Sequence, residues 1–331
     1  MTTQKNVRPS ADGIALLLME LEAWGHNFLA PIQWASGTFN PFYVDNRKLL
    51  SYVYGREYVR KTLGALLGIN TYVDCIYGIP KAGIAPATLL ALETKKDLIF
   101  KHTDGKYYRL DIKKALALVR RTITSTMRQV DLVAGTSPFG IIFGIILAEE
   151  LKCSFLFVRE EPKGHGLMKQ VEGIQPKAGS KGILVDPICT GIKRYTKVAE
   201  TALEQLGVEI TSKWEHIFVQ FVEEVTRFSG LSIVGQEDLV STGGSGLDEI
   251  KILLEMGAVV HPQSIFSYEL PQAKENFAKY GLVNNSCITF GELMTELMKA
   301  KKLSEIEEET LWAWYNDQPN WGDNNGYPRV K

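Results

Sequence analysis

The sequence predicts an α/β fold: mostly parallel strands, each leading through a glycine-bearing turn into a helix, arranged as two sheets flanked by helices within one chain. Three observations carry this. An apolar strand from Ser232 runs into the adjacent carboxylates Glu237 and Asp238, then into the turn Ser241-Thr242-Gly243-Gly244-Ser245, and a helical pattern follows over 247–256. The same succession occurs at residues 74–84, with a helix over 85–92. The third observation is that the succession repeats later in the chain, and a missed repeat mis-assigns a whole architecture.

At 331 residues the chain can form one large domain or two ordinary ones. Its 37 basic and 38 acidic residues nearly cancel, with no basic run of the kind that binds nucleic acid. Cys75, Cys153, Cys189 and Cys287 are scattered with no Cys-x-x-Cys pair, which reads as buried thiols in a reducing compartment. The short apolar run 14–19 is followed by Glu20 and Glu22 and reads as a helix, not a signal segment. No segment reaches the roughly 20 apolar residues of a membrane span. A soluble cytoplasmic protein is expected, with neither nucleic acid nor membrane as partner.

Each part of the 232–256 stretch has a chemical use. Gly243 and Gly244 let the backbone approach a ligand with no Cβ in the way. The N–H groups of the turn and helix start suit a phosphate monoester. Glu237 and Asp238 then lie where the hydroxyls of a sugar 5′-phosphate would sit, and two acceptors on that diol also stabilise a cationic sugar carbon. Apolar strand, acid pair and Thr-Gly-Gly-Ser together resemble the phosphoribosyl-diphosphate (PRPP) motif of type I phosphoribosyltransferases, most closely that of the orotate phosphoribosyltransferases. The resemblance implies the type I phosphoribosyltransferase fold, with Ser241, Thr242, Gly243, Gly244 and Ser245 around the 5′-phosphate.

The resemblance extends along the chain. Residues 34–47 are similar to the family's N-terminal hood, which implies Ser36, Phe42 and Tyr43 as base-binding residues; the competing reading of the aromatics is core packing. Residues 74–84 are similar to the loop that faces the diphosphate, with Lys81 one residue out of the family's register. The tail 289–322, with Trp312, Trp314 and Trp321, resembles the family's closing helices.

The family domain needs roughly 200 residues, an ordinary domain size, and this chain has over a hundred more. The surplus looks like a second, diverged copy. Val59-Arg60-Lys61-Thr62 leads to Val73-Asp74-Cys75-Ile76-Tyr77-Gly78, as Val119-Arg120-Arg121-Thr122 leads to Val130-Asp131-Leu132-Val133-Ala134-Gly135. The expected division is a host copy of 1–109 plus 227–331, with residues 110–226 inserted at a position where new chain is tolerated. The alternative is a single sheet carrying an ordinary insertion. The inserted copy keeps Asp186 of the acid pair, but Pro187 replaces its partner, and Ile192-Lys193 follow the single Gly191. Proline removes a donor and Ile192 adds a Cβ, so this cradle is expected not to bind PRPP productively.

The inserted copy does carry Arg159-Glu160-Glu161-Pro162-Lys163-Gly164-His165-Gly166, which resembles the family's catalytic loop, Arg-Lys-x-x-Lys-x-His-Gly. In family homodimers the Arg, second Lys and His of that loop reach into the neighbouring subunit's site. The resemblance therefore implies a covalent pseudo-dimer with one surviving site: Lys163, His165, Asp238 and Glu237 in catalytic roles, and Arg159, Lys81 and Lys101 on PRPP. It implies Mg2+-dependent transfer of phosphoribosyl from PRPP to orotate or a related pyrimidine, releasing diphosphate. Mg2+ would be held through PRPP, with Asp238 reaching it through water. Thr38-Phe39 and Asp248 stand where the family often has basic residues, which weighs against orotate in particular. A second reading is a phosphoribosyltransferase-like protein that binds PRPP or a nucleotide as a sensor. Self-association beyond the pseudo-dimer is left open.

Overall fold

The computed structural model describes residues 10–34, 37–68, 71–124, 127–159, 170–186, 196–215 and 222–327. The N-terminal part holds α1 (Ala11–Glu20), β1 (Trp24–His26), β2 (Ile32–Gln33), β3 (Phe39–Asn40), β4 (Phe42–Val44), α2 (Asn46–Ser51) and α3 (Val53–Leu66). Strand β1 pairs antiparallel with β4, and β2 with β3. Then follow β5 (Cys75–Gly78), α4 (Ile84–Thr94), β6 (Asp97–Lys101), β7 (Tyr107–Leu110) and α5 (Ile112–Thr122). A second run comprises β8 (Leu132–Thr136), α6 (Ser137–Leu151), β9 (Ser154–Val158), β10 (Val171–Glu172), β11 (Lys181–Val185), α7 (Thr196–Gln205) and β12 (Glu209–Trp214). The chain returns through β13 (Val222–Val225), β14 (Ser232–Val240), α8 (Gly244–Glu255), β15 (Val259–Ser267), α9 (Pro271–Ala278) and β16 (Asn285–Thr289). Helices α10 (Phe290–Lys299), α11 (Glu305–Asn316) and α12 (Gln318–Asn324) close it.

Two main sheets result, a seven-stranded one in the order β13-β7-β6-β5-β14-β15-β16 and a five-stranded one in the order β10-β9-β8-β11-β12. The inner run β7-β6-β5-β14-β15 and the five-stranded sheet have the same chain order and the same directions: parallel throughout except for the antiparallel edge strand, β7 or β10. The expected α/β class with mostly parallel sheets is what the chain adopts. One strand falls on the other side of the expected division at 226: β13 hydrogen-bonds β7 and so belongs to the seven-stranded sheet. It covers the backbone donors and acceptors that β7 would otherwise expose at an edge.

Alternation along the strands sorts the core into layers. In β5, Ile76 faces one way into a core shared by both sheets, while Cys75 and Tyr77 face the other, toward Leu247, Ile250 and Leu253 of α8. In β8, Val133 faces the shared core and Leu132 and Ala134 face Ala199 and Leu203 of α7. Period-two alternation between two apolar faces is what a sheet covered by helices on both sides requires. The shared layer contains α4 and α6, which pack on each other and carry apolar residues almost all round, as fully enclosed helices do. Phe139 of α6 meets the rings of Phe100, His102 and Tyr108 across this layer. Arg56, with no exposed surface, crosses it too: its Nε donates to Glu149 at 2.8 Å and its terminal nitrogens to the carbonyls of Leu50, Ser51 and Cys153. Cys75, Cys153 and Cys287 are buried, and no helix among the described residues is long and apolar enough to cross a membrane.

Candidate active site

The carboxyl end of β14 brings Glu237 and Asp238 to the rim where open parallel sheets bind ligands. Next to it, the loop after β5 folds back over the strand end, where the Ile79 N–H donates to the Gln236 carbonyl at 3.0 Å. That return requires Gly83, because an added Cβ would stand 2.2 Å from the Gln236 oxygen. Gly140 has the same place in the five-stranded sheet, with an added Cβ 2.4 Å from the carbonyl oxygen of Val185. Gln236 lies opposite Gly78 in one sheet and Val185 opposite Gly135 in the other. Glu237 and Asp186 are therefore the next residues along equivalent strands.

These two acids meet different surroundings. Both Asp186 oxygens are engaged by the protein itself, accepting from Thr136 at 2.5 Å and from Thr196 at 2.6 Å. Glu237 instead lies against Gly246, where an added Cβ would fall 2.1 Å from Oε2. Burial, and after it the charge of Asp238, pushes the Glu237 carboxyl up to about 8. A carboxyl raised in the folded state binds a proton there that the unfolded chain has already released, so this group's stabilising contribution is full below its unfolded pKa and is lost as pH rises through about 8. Accordingly, the melting temperature of Glu237→Gln relative to the parent should climb between pH 5 and pH 9 (a span around that value) in a thermal-denaturation series. A flat difference would contradict the assignment.

Past the acids, Gly243 takes a left-handed φ of 76° and caps α8, which has no side-chain cap. The carbonyl of Thr242 is held by Asn276 of α9 at 3.1 Å. Ser241 and Thr242 are half-buried, Gly244 is exposed, and Ser245 stands in the first turn of α8. The amides of that turn form a helix N-terminus suited to an anion. Asn46 of α2 donates to the Asp238 carbonyl at 2.7 Å, so the hood is tied to the acid pair.

Between the two sheets opens a cavity of about 660 Å³. One side is lined by Lys81, Lys101, His102 and Glu249, the other by Thr136, Phe157, Arg159 and Glu172, with Arg47 of α2 joining them. Lys101 donates to Glu249 at 2.8 Å, and this hydrogen bond raises its pKa; Tyr77 and Tyr107 hold the other Glu249 oxygen at 3.0 and 3.4 Å. Arg159 and Arg47 both bond Glu172, and Asp238 lies within electrostatic reach of both. The two halves differ in their loops. After β6 the chain turns back tightly, His102 N–H donating to the Lys106 carbonyl at 2.9 Å, whereas residues 159–170 intervene between β9 and β10.

Lys81, Lys101 and Arg159 line this cavity, and Asp238 lies within electrostatic reach of Arg159; Glu237 and the Ser241–Ser245 turn belong to the same end of β14 and the start of α8. Ser36, Lys163 and His165 lie outside the described residues, as do Pro187 to Gly191 of the second motif. Phe42 requires a correction: with no exposed surface it lines no pocket, but packs edge-to-face on Phe290 and passes its carbonyl to the Tyr268 hydroxyl. Tyr43, next along the strand, is half-buried and lies over Gly25. Asp248 points away into solvent and pairs with Lys251 at 3.0 Å, so it does not contest an anionic base. Sequence reasoning gave no role to Arg47, the last residue of the hood segment, or to Glu172, which with Gly173 follows the loop that resembles the family's catalytic loop.

No protein-family model matches the chain. Among curated proteins it is 25% identical over 309 residues to "Orotate phosphoribosyltransferase" of Lactococcus lactis subsp. lactis, covering 93% of this chain and 96% of that protein. It is 24% identical over 312 residues to the protein of the same name from Streptococcus pneumoniae, covering 94% and 97%. The chain is a homologue of these proteins along nearly its whole length. Among solved structures, orotate phosphoribosyltransferase from Aeropyrum pernix is 17% identical over 88% of this chain and 99% of that one, with a TM-score of 0.33, too low to speak to the fold.

Proposed function

We propose that this chain is a pentosyltransferase that moves the phosphoribosyl group of PRPP onto orotate or a closely related pyrimidine, releasing diphosphate, at a single site built from both sheets. The observation that carries this is that Arg159, at the start of the catalytic-type loop of the five-stranded sheet, lines the cavity between the sheets and lies within electrostatic reach of Asp238, in the PRPP-type motif of the seven-stranded sheet. The names of its curated homologues support phosphoribosyl transfer. The shared strand order supports reading the second sheet as a diverged copy, docked on the first through α4 and α6. Among the described residues the two equivalent places differ in how their acids are held. In the five-stranded sheet, Asp186 is bonded to two threonines, and the tight 102–106 turn offers no loop to reach it.

The chemistry asks mainly for positioning and charge. As the bond to diphosphate breaks, positive charge grows on the sugar carbon, and fixed acceptors beside it stabilise that state without reorganising. Asp238 and Glu237 would take the ribose hydroxyls. The 241–245 turn and the α8 amides would hold the 5′-phosphate. Lys81, Lys101 and Arg159, with Lys163 and His165 from the same loop, would neutralise the departing diphosphate, and Lys163 would assist proton transfer. Among the described residues no cluster of three or more His, Cys, Asp or Glu side chains could hold a metal. Mg2+ would be held through PRPP, with Asp238 reaching it through water, and would supply charge that offsets the diphosphate.

A coupled assay with Mg2+, PRPP and orotate tests the proposal. Turnover should be present in the parent and fall by about 10²-fold or more in Lys163→Ala, the size expected for losing a proton-transfer or leaving-group partner. PRPP binding by calorimetry without orotate consumption would instead favour the sensor reading or another acceptor base.

A further inference from the structure

Arg47 and Arg159 come from different parts of the chain, one from α2 and one from the end of β9, yet converge on a single carboxylate. Glu172 accepts from Arg159 Nε at 2.6 Å and from a terminal nitrogen at 3.3 Å, and the same Oε2 accepts from Arg47. Arg47 also lies over the Phe157 ring, its charge centre 5.7 Å from the centroid. The approach of β10 to α2 that permits this is built in. Gly173, next to Glu172, has φ of 112° and packs so closely on α2 that a Cβ would stand 2.1 Å from the Ser51 hydroxyl.

Side by side and partly desolvated, the two guanidiniums repel, and besides Glu172 the countercharge that both of them feel is Asp238, with Asp45 acting on Arg47 as well. Arg159 sits at the base of its loop, its N–H donating to the Gln170 carbonyl at 2.9 Å, so its side chain is free to swing about a fixed backbone. Unrestrained, it would fold onto Asp238 and compete with the ribose hydroxyls, or turn away from the cavity. We infer that Glu172 is a positioning residue: it neutralises the Arg47–Arg159 pair, holds Arg159 off Asp238, and keeps it aimed into the cavity where an anionic leaving group would lie. The inference rests on the proposed phosphoribosyl transfer, but it assigns a role to two residues of the 331 that the family resemblance does not.

The test is a double-mutant cycle on the full chain, with PRPP as variable substrate. Glu172→Gln should raise KM for PRPP by about tenfold or more, a coupling within the range measured for residues sharing one charge network. Glu172→Asp, which keeps the charge, should restore most of that loss. In an Arg159→Ala background, Glu172→Gln should have little further effect on KM, because its influence passes through Arg159. An equal effect in both backgrounds, or an unchanged KM in the single variant, overturns the inference. Failure of the parent to bind or turn over PRPP would instead defeat the functional reading on which it stands. A purely structural role for Glu172 would lower the melting temperature and kcat in both backgrounds without the Asp rescue, and that pattern also overturns it.

Discussion

Asp238→Asn should reduce kcat/KM by about 10²–10³-fold, the range found when one preorganised charge-stabilising group is removed from an active site. The change keeps size and hydrogen-bonding shape, and the Asp238 carbonyl still accepts from Asn46, so the strand end should hold its place. What is lost is the negative charge beside the sugar carbon as diphosphate departs. That charge matters most in the transition state, so kcat should fall much more than KM rises. The local balance points the same way: Arg47 and Arg159 both feel Asp238, and neutralising it removes a countercharge that both share. Steady-state kinetics with calorimetry of PRPP binding separates the two. Near-normal kcat in Asp238→Asn would remove Asp238 from the chemistry and with it the proposed site.

The largest stability effect is expected far from the chemistry, at Arg56. Its side chain is fully enclosed, pairs with Glu149 and donates to carbonyls at the ends of α2 and α6, including Cys153 at 2.7 Å. Arg56→Ala leaves a carboxylate buried without its partner, which costs about 3–5 kcal/mol in comparable pairs. Because α6 belongs to the second sheet and Arg56 to α3 of the first, the loss should loosen the docking of the two halves. Urea unfolding should show a lower midpoint or a separated first transition. Replacing both members by apolar residues, as in Arg56→Met with Glu149→Leu, should recover much of the loss, since burying an intact ion pair adds little net stability. A single-variant loss well under 1 kcal/mol, the scale of exposed pairs, would mean that the pair is in effect solvated.

Much of this protein is legible in sequence because the informative patterns are local. Strand, acid pair, glycine turn and helix at 232–256 depend on neighbours along the chain, and the structure keeps them as β14, the 241–243 turn and α8. The similar strand–turn–helix units are legible for the same reason: each carries its own alternation, and both sheets have a glycine, Gly83 or Gly140, that lets the loop after one strand return over the next. Where sequence reasoning fell short, the deciding contact was distant. Phe42 is an aromatic suited to a base pocket, but Phe290, far along the chain, packs against it and leaves it no exposed surface. Asp248 raised an electrostatic objection that vanishes because its helix turns it to Lys251 and solvent. The strand 222–225 fell on the insert side of the expected boundary, until the edge of β7 claimed it.

The sequence by itself determined the α/β class and the strand–turn–helix succession that carries the acid pair, because each rests on spacing that backbone geometry reads directly. Only the tertiary structure decided which charges share a cavity. Arg47 is over a hundred residues from Arg159 and Glu172 and meets them through the packing of α2 on the second sheet, with Asp238 of the first sheet within electrostatic reach. Such a meeting is set by how two apolar helices and a buried arginine dock one sheet on another, and no local pattern encodes it.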